Sequence, residues 1–303
     1  MATEREAEAR TLAGRARRAG PWRPWETVTR FIVKKPLGAV GGGIILALVT
    51  IAATAPWITF YDPLAWDLPV KLLPPGASHW LGTDEMGRDL WSRIVMGAQI
   101  SLQVGFASVA LGSGVGGLLG ITSAWYGGRV DQLMQRLLDA LMSIPTLILA
   151  LAITASLGQS LTNIILAIAV TQIPRANRIV RSQALSVKQA DFVLAAQALG
   201  ASDARIMFRH ILPQCVAPWL IIASAGLGAA ILIEASLSFL GLGVPAPEPS
   251  WGGMLSGPAR NYYAVAPWMA IWPGLALSLA VYGFNLFGDA LRDVLDPRLR
   301  GSQ

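Results

Sequence analysis

Long stretches without a charged side chain are the feature that most restricts how this chain of 303 residues can fold. Six such stretches occur, at residues 36–61, 94–128, 140–174, 210–233, 235–247 and 261–288. A helix needs about 20 apolar residues to cross the roughly 30 Å hydrocarbon core of a bilayer, and most of these stretches reach that length. Only 14% of the residues are charged, against about 25% in soluble domains. The chain is therefore predicted to be an all-α integral membrane protein.

The number of spans depends on the stretch 140–174. Single spans are predicted near residues 37–58, 99–126, 210–243 and 267–287. The stretch 140–174 is either one long helix or two helices joined at Ser156–Asn163. Gly158 and its polar neighbours favour a turn at that point.

The distribution of basic residues decides between five and six spans, because Lys and Arg concentrate in cytoplasmic loops. Six spans with a cytoplasmic N-terminus place 20 of the 24 Lys and Arg residues inside, whereas five spans divide them equally. The sequence therefore predicts six spans and two cytoplasmic termini. The predicted parts are a basic N-terminal tail at 1–36, a six-span domain at 37–291 and a C-terminal tail at 292–303.

The first apolar stretch has small residues after its apolar core, as a secretory signal peptide does. The basic region before it is much longer than that of a signal peptide, so residues 37–58 are interpreted as an uncleaved span. Two interpretations of the basic tail stay open. It rests on anionic lipid headgroups, or it is a disordered segment that only sets the topology.

Sequence motifs for catalysis or cofactor binding are missing. The chain has no phosphate-binding G-x-x-x-x-G-K-[ST], no G-x-S-x-G and no H-E-x-x-H. A single cysteine, Cys215, and two distant histidines argue against a metal centre. The net charge of +6 follows the membrane topology and does not indicate nucleic acid binding. The remaining classes are a transporter subunit, a channel and a structural membrane partner.

A charged insert at about 182–213 separates two apolar stretches. Ser182–Leu199 is predicted to form a helix in which Ala195 and Ala196 leave a flat surface. Gly200 suits a left-handed helix end that bulky residues resist, and Ser202 is placed to cap the next short helix. Pro213 is predicted to mark the start of the fifth span.

Three other features of the predicted spans carry expectations. Gly112, Gly116 and Gly120 lie four residues apart and are interpreted as a helix-packing face. Asp139 is expected to pair with Arg136, three residues earlier. Glu234 is an acid within a span, which either serves function by facing a transport pathway or makes a structural hydrogen bond to a neighbouring helix.

The insert resembles the cytoplasmic coupling loop of bacterial ABC importer permeases, whose motif reads EAA, three residues, Gly, nine residues, I-x-L-P. Leu194, Ala195 and Ala196 occupy the EAA positions, followed by Gly200 and then by His210, Ile211, Leu212 and Pro213. Leu194 replaces the acid and His210 replaces the apolar residue. Because Asp191 lies one helical turn before Leu194, it is a candidate replacement for the missing charge.

Three further segments resemble the dipeptide, oligopeptide and nickel permeases, and among them the C-type subunit. They are LGTDEMGRDLWSRIVMGAQISL at 81–102, EASLSFLGLGVPAPEPSWGGML at 234–255 and NLFGDALRDVLDPRL at 285–299. The resemblance implies a type I ABC importer permease fold in the bacterial cytoplasmic membrane. It also implies a B-type permease partner, two ATPase subunits that bind ATP and Mg, and an extracytoplasmic binding protein, with no cofactor in this chain.

The resemblance assigns ATPase docking to the insert, and thus to Asp191, Leu194, Ala195, Ala196, Gly200, Ser202, His210, Leu212 and Pro213. Two other classes are weighed against it, a secondary transporter or channel that acts alone and a structural scaffold. No inverted repeat of the kind common in secondary transporters is visible. Dipeptides, longer peptides, glutathione, nickel complexes and some sugars are not distinguished as substrates by the sequence.

Overall fold

A computed structural model of the protein describes residues 32–33 and 35–295, and its long elements are all helices. Most of the predicted basic tail and the end of the predicted C-terminal tail lie outside these residues. The helices are α1 (Pro36–Ile58), α2 (Leu90–Tyr126), α3 (Gly128–Met142), α4 (Thr146–Leu157), α5 (Leu161–Lys188), α6 (Asp191–Ala198), α7 (Asp203–Ile206), α8 (Leu212–Phe239), α9 (Trp251–Met254) and α10 (Trp268–Leu295). The prediction of an all-α protein is confirmed for the described residues.

The bundle has two distinct ends. One end, here called the loop end, carries residues 189–211, which follow α5. The other, here called the cap end, carries the cap segment (residues 59–89) between α1 and α2. The helix α10 begins at the cap end, where Trp268 Nε1 donates to the Thr83 carbonyl, so it ends at the loop end. The end of α10 is joined to the start of α1 by an ion pair between Lys35 Nζ and Asp293 Oδ2 at 2.6 Å. Both ends of the described chain therefore lie at the loop end.

The helices α2 and α5 pack closely through the predicted glycine face. A methyl group on Gly120 would lie 2.8 Å from the Asn177 carbonyl oxygen, and methyl groups on Gly112 and Gly116 would overlap α5 backbone in the same way. Real side chains do not approach so closely, so only glycine permits this helix separation. The three glycines are confirmed as packing residues.

The stretch 140–174 contains two helices, as the turn residues predict. The helix α4 ends at Leu157, Gly158 follows with φ +86°, and Ser160 caps α5 by accepting a hydrogen bond from the Asn163 amide at 3.1 Å. At its other end α4 begins after Pro145, and the axes of α3 and α4 differ by 92°. The chain therefore turns sharply on both sides of the 12-residue α4.

Four described helices are long and apolar enough to cross a membrane, and a fifth span is counted if α3 and α4 together form one broken crossing. The helix α5 has 28 residues, but its second half is too polar for α5 to be counted as a span on composition. The polar residues there include Gln172, Arg175, Asn177 and Arg178. Six spans thus stay a prediction at this point.

Candidate functional site

The two-helix loop (residues 189–211) contains a break that the sequence does not predict. A continuous helix over Ser182–Leu199 was expected, but α5 ends at Lys188 and α6 begins at Asp191, with Ala190 extended at ψ 144°. That prediction is wrong. The turn lets Val187 and Val193, on either side of the break, enter the same buried cluster, so tertiary packing overrides a locally helical sequence.

Gly200 ends α6 in the predicted left-handed conformation, with φ +75°. Its amide donates to the Gln197 carbonyl at 2.9 Å, and the Ala201 amide donates to the Ala196 carbonyl at 3.1 Å. These two bonds form a Schellman motif, which satisfies carbonyls that a helix end leaves free. Apart from the adjoining residues, no atom of the described chain lies within 4 Å of the position a Cβ would take at Gly200, so the backbone conformation is the restriction that the described structure places on this residue.

The second part of the loop is continuous with the following span. Ser202 occupies the predicted N-cap position, but its hydroxyl makes no capping bond, and only its carbonyl accepts from the Ile206 amide. The helix α7 then passes through a π-helical segment, Met207–Ile211, directly into α8. Pro213 lies in the first turn of α8, as predicted for the start of the fifth span, and a continuous helical path already leads into α8 from Asp203.

The inner face of the loop is packed into a hydrophobic cluster with the ends of α2 and α5. Val193, Ile206 and Ile211 are buried there beside Trp125 and Val187. Lys188 fixes the junction, because its ammonium group donates to the carbonyls of Ala124 at 3.2 Å and Trp125 at 2.6 Å. These contacts hold the loop in a fixed position against the helices.

The outer face of the loop exposes apolar side chains. Leu194 is 50% exposed and Leu199 88%, and Phe192 and Phe208 are also exposed. The Phe192 ring lies 6.4 Å from that of His210. Sequence reasoning identified Leu194 but missed Leu199 and the two phenylalanines, although apolar residues in so polar an insert were the available signal.

The other predicted loop residues divide between the two faces. Ala195 is exposed and gives the flat surface expected of it, whereas Ala196 packs against the inner cluster. Asp191 is exposed and forms no ion pair with any described residue. Its negative charge is thus free to meet a partner, and its role as a substitute for the acid at Leu194 stays a prediction.

Glu234 lies far from the loop, in the last turns of α8. It is fully buried and accepts hydrogen bonds from the hydroxyls of Ser101 at 3.3 Å and Ser238 at 2.8 Å. The Ser250 hydroxyl extends this cluster by donating to Ser238 Oγ at 3.3 Å. The hydrogen bond to a neighbouring helix is present, through Ser101 of α2, and a role of Glu234 in the transport pathway stays a prediction.

A polar network crosses the bundle near the loop end. The Asp131 carboxylate accepts a forked pair of hydrogen bonds from the Arg181 guanidinium and a further one from Ser123. The expected pair of Asp139 with Arg136 is absent. Asp139 instead accepts a hydrogen bond from Arg178 Nη2 at 2.7 Å, on the neighbouring helix α5.

The fold and the loop define a helical, multi-span membrane protein whose protruding loop is held on one face and open on the other. Residues 116–301 match the family described as "Binding-protein-dependent transport system inner membrane component", and residues 23–75 match the "N-terminal TM domain of oligopeptide transport permease C". The first match covers more than half of the chain. The protein belongs to this family of inner-membrane transport components.

Relatives of similar length carry names from the same transport systems. A putative peptide transport system permease of Brucella suis is 44% identical over 277 residues, covering 91% of this chain and 93% of the relative. A dipeptide transport permease of Alkalihalophilus pseudofirmus is 43% identical, covering 91% of both chains. A glutathione transport permease of Pectobacterium atrosepticum is 40% identical, covering 91% of this chain and 92% of the relative. The chain is thus a multi-pass permease component of the bacterial inner membrane.

Proposed function

We propose that this protein is the C-type permease of an ATP-driven peptide importer and that the two-helix loop receives its ATPase. The observation that carries the proposal is the division of the loop into a buried inner face and an exposed apolar outer face. Several large apolar side chains exposed on one short polar segment are the kind of surface that a partner protein covers. The names of the relatives support peptides as the substrate class.

The loop is suited to transmit motion. The helical path from Asp203 to Phe239 joins its second helix to α8, and packed helices move as rigid bodies rather than deforming. A displacement of the loop by an ATPase would therefore displace α8. The Lys188 contacts with the end of α2 would carry the same displacement into a second helix.

Docking is expected to depend on packing more than on charge. Leu194 stands where related loops have an acid, and with Leu199 and Phe208 it offers apolar area. Burial of apolar surface contributes about 25 cal/mol for each Å². Asp191 is the residue of the loop placed to add a charge–charge contact at the edge of this area.

We place the loop and both termini in the cytoplasm, with six crossings of the membrane. Support comes from the distribution of Lys and Arg and from the position of both described chain ends at the loop end. In this arrangement the broken pair α3 and α4 makes the third crossing and α5 the fourth. The polar half of α5 would then face other protein or water rather than lipid.

The complete importer would contain a B-type permease, two ATPases that bind ATP and Mg, and an extracytoplasmic binding protein. This chain would bind no cofactor and would catalyse no reaction. Among the described residues no group of three or more His, Cys, Asp or Glu side chains is arranged to hold a metal ion.

The docking proposal is tested by co-purification of the ATPase with variants of the whole complex. Leu199→Ser and Phe208→Ser should each reduce the recovered ATPase and the uptake of peptide, since each removes apolar contact area. Trp66→Ser, which changes a residue 66% exposed in the cap segment, is the matched control and should retain the ATPase. Full recovery with both loop variants, or transport by the chain without ATPases, would contradict the proposal.

A further inference from the structure

An open cavity of about 590 Å³ lies beside the polar half of α5. Its walls come from the end of α3, from α4, α5 and α8, and from the turn between α3 and α4. Leu232 and Ile233 supply part of an apolar wall, and Thr146, Thr171 and Gln172 supply polar groups. The combination of an apolar lining with a few polar groups is typical of sites for small solutes.

Two arginines line the same cavity. Arg175 and Arg178 are three residues apart on α5 and therefore project from one side of the helix. At 1.5 Å per residue, Arg175 lies about 21 Å along α5 from Leu161, at the cytoplasmic end of the proposed fourth crossing. Because the topology count places Arg175 on the cytoplasmic side, we expect the cavity to open to water there rather than to face lipid.

The two guanidinium groups differ in their partners. Arg178 is paired with Asp139, which neutralises its charge and orients its side chain. Arg175 is exposed in the cavity and forms no ion pair or hydrogen bond with any described residue. The cavity consequently holds one positive charge that the subunit itself does not neutralise.

We propose that Arg175 binds the carboxylate of the transported solute as it passes this cavity. The inference rests on the proposed function, since it takes this face of α5 as one wall of the pathway. Arginine suits the task because its planar guanidinium makes paired, charge-assisted hydrogen bonds to a carboxylate. Peptides with a free C-terminus carry such a group, and the apolar wall is positioned to contact their side chains.

Accessibility of residue 175 is the first test, in the complete importer reconstituted in vesicles. Cys215 is buried, so introduced thiols can be modified selectively. Arg175→Cys should react with an anionic methanethiosulfonate reagent, whereas Leu46→Cys, on an exposed face of α1, should not. An unreactive thiol at 175 would overturn the proposal, because a pathway residue must contact water.

Charge restoration is the second test, with uptake of alanylalanine as the measurement. Arg175→Cys should lower uptake by about tenfold, the loss expected for a hydrogen bond to a charged group, while ATP hydrolysis stays near the wild-type rate. A cationic thiol reagent should restore uptake and an anionic one should not, and Arg175→Lys should retain most of it. Arg136→Cys, which changes an exposed arginine outside the cavity, serves as the control.

The outcomes separate this inference from the proposed function. Uptake at the wild-type rate in the Arg175→Cys importer would overturn the role of Arg175 alone. So would a loss of uptake that the cationic reagent does not reverse. Loss of ATP hydrolysis together with uptake would show that Arg175 pairs with an acid of the second permease, which contradicts substrate binding. A wild-type importer that takes up no alanylalanine would instead overturn the peptide function.

Discussion

The two ends of the bundle are organised in opposite ways. In the cap segment, several charged side chains have partners within the segment. The Asp84 carboxylate accepts hydrogen bonds from Arg88 Nε at 2.6 Å and from the backbone amides of Met86 and Arg88. Asp89 Oδ1 lies 2.9 Å from His79 Nδ1, within hydrogen-bond distance. In the described structure, no residue of the two-helix loop forms an ion pair. The loop is instead packed on its inner side and leaves apolar groups open on its outer side.

This contrast indicates that ion pairs within the subunit stabilise the cap segment and not the loop. Buried charges need partners within the fold, since an unpaired buried charge is strongly destabilising, and the cap segment supplies its own. Apolar side chains can remain exposed in the folded subunit until a partner covers them, at little cost to folding. The cap segment should thus respond to substitution through stability, whereas the loop should respond through assembly and coupling.

Asp84→Ala should produce the largest effect on stability. It would leave Arg88 and Arg93, both largely buried, without their shared carboxylate, and removal of one partner of a buried pair costs about 3–5 kcal/mol. The thermal unfolding of the purified complex measures this loss. Asp62→Ala, at an exposed position, is the control and should change little. Equal stability of the two variants would remove the contrast between the two ends.

Gly200→Val should disturb the loop without disturbing the spans. A β-branched residue in the left-handed conformation costs roughly 1–2 kcal/mol, and the Cβ position at this site is open with respect to the described residues. Substrate-stimulated ATP hydrolysis and uptake should therefore fall together while the permeases remain associated. Gly200→Asn should be tolerated better, because Asn accepts this conformation. Normal coupling in the valine variant would make the loop an ordinary connection.

Ala195→Arg tests the outer face independently of backbone conformation. The exposed alanine would become a long cation beside Leu194, so the ATPase should bind more weakly although the fold is unchanged. Co-purified ATPase is the measurement, and Ala204→Arg, at another exposed position of the loop, tests whether the effect is local. Equal loss from both substitutions would mean that added charge, rather than blocked packing, is responsible.

Glu85→Gln should change the pH dependence of stability at the cap end. Burial, helped by the nearby Asp84 carboxylate, raises the pKa of Glu85. The folded state therefore holds its proton more tightly than the unfolded state, and the stabilisation this gives is full below about pH 4 and is lost as the pH rises through the folded pKa. The variant should gain stability over the wild type as the pH rises, as followed by melting temperature. A difference in melting temperature between variant and wild type that does not change with pH would contradict this prediction.

Ser202→Ala should have the smallest effect, because the Ser202 hydroxyl makes no capping bond. Ser160 does cap its helix, and replacement of such a residue by alanine typically costs about 1 kcal/mol. Comparison of the melting temperatures of the two alanine variants shows the difference between a residue that only occupies an N-cap position and one whose side chain makes the capping hydrogen bond. A larger loss at residue 202 than at residue 160 would show that Ser202 acts through a contact outside this chain.

Sequence reasoning succeeded where one residue determines local structure. The turn at Gly158 and the left-handed end at Gly200 follow from backbone freedom at one residue, and the packing face of Gly112, Gly116 and Gly120 follows from the regular spacing of residues without side chains. It failed at the break before Asp191 and at the partner of Asp139. Both depend on how α5 meets other helices, and no signal in nearby residues reports such contacts.

The same limit applies to the candidate site. Spacing located the loop and its motif residues, but it did not divide them into an inner and an outer face. Ala195 and Ala196 are adjacent and identical in type, yet one is exposed and the other packs against the cluster. The burial of Glu234 among three serines likewise depends on residues from 101 to 250, which only the fold brings together.

Site-specific photo-crosslinking from residue 199 in the assembled importer tests the central claim most directly. A photoreactive side chain in place of Leu199 lies at the most exposed apolar position of the loop, and the same group in place of Trp66 reports from the cap end. The account predicts that residue 199 forms an adduct with an ATPase subunit and that residue 66 does not. An ATPase adduct from residue 66, or none from residue 199, would contradict it.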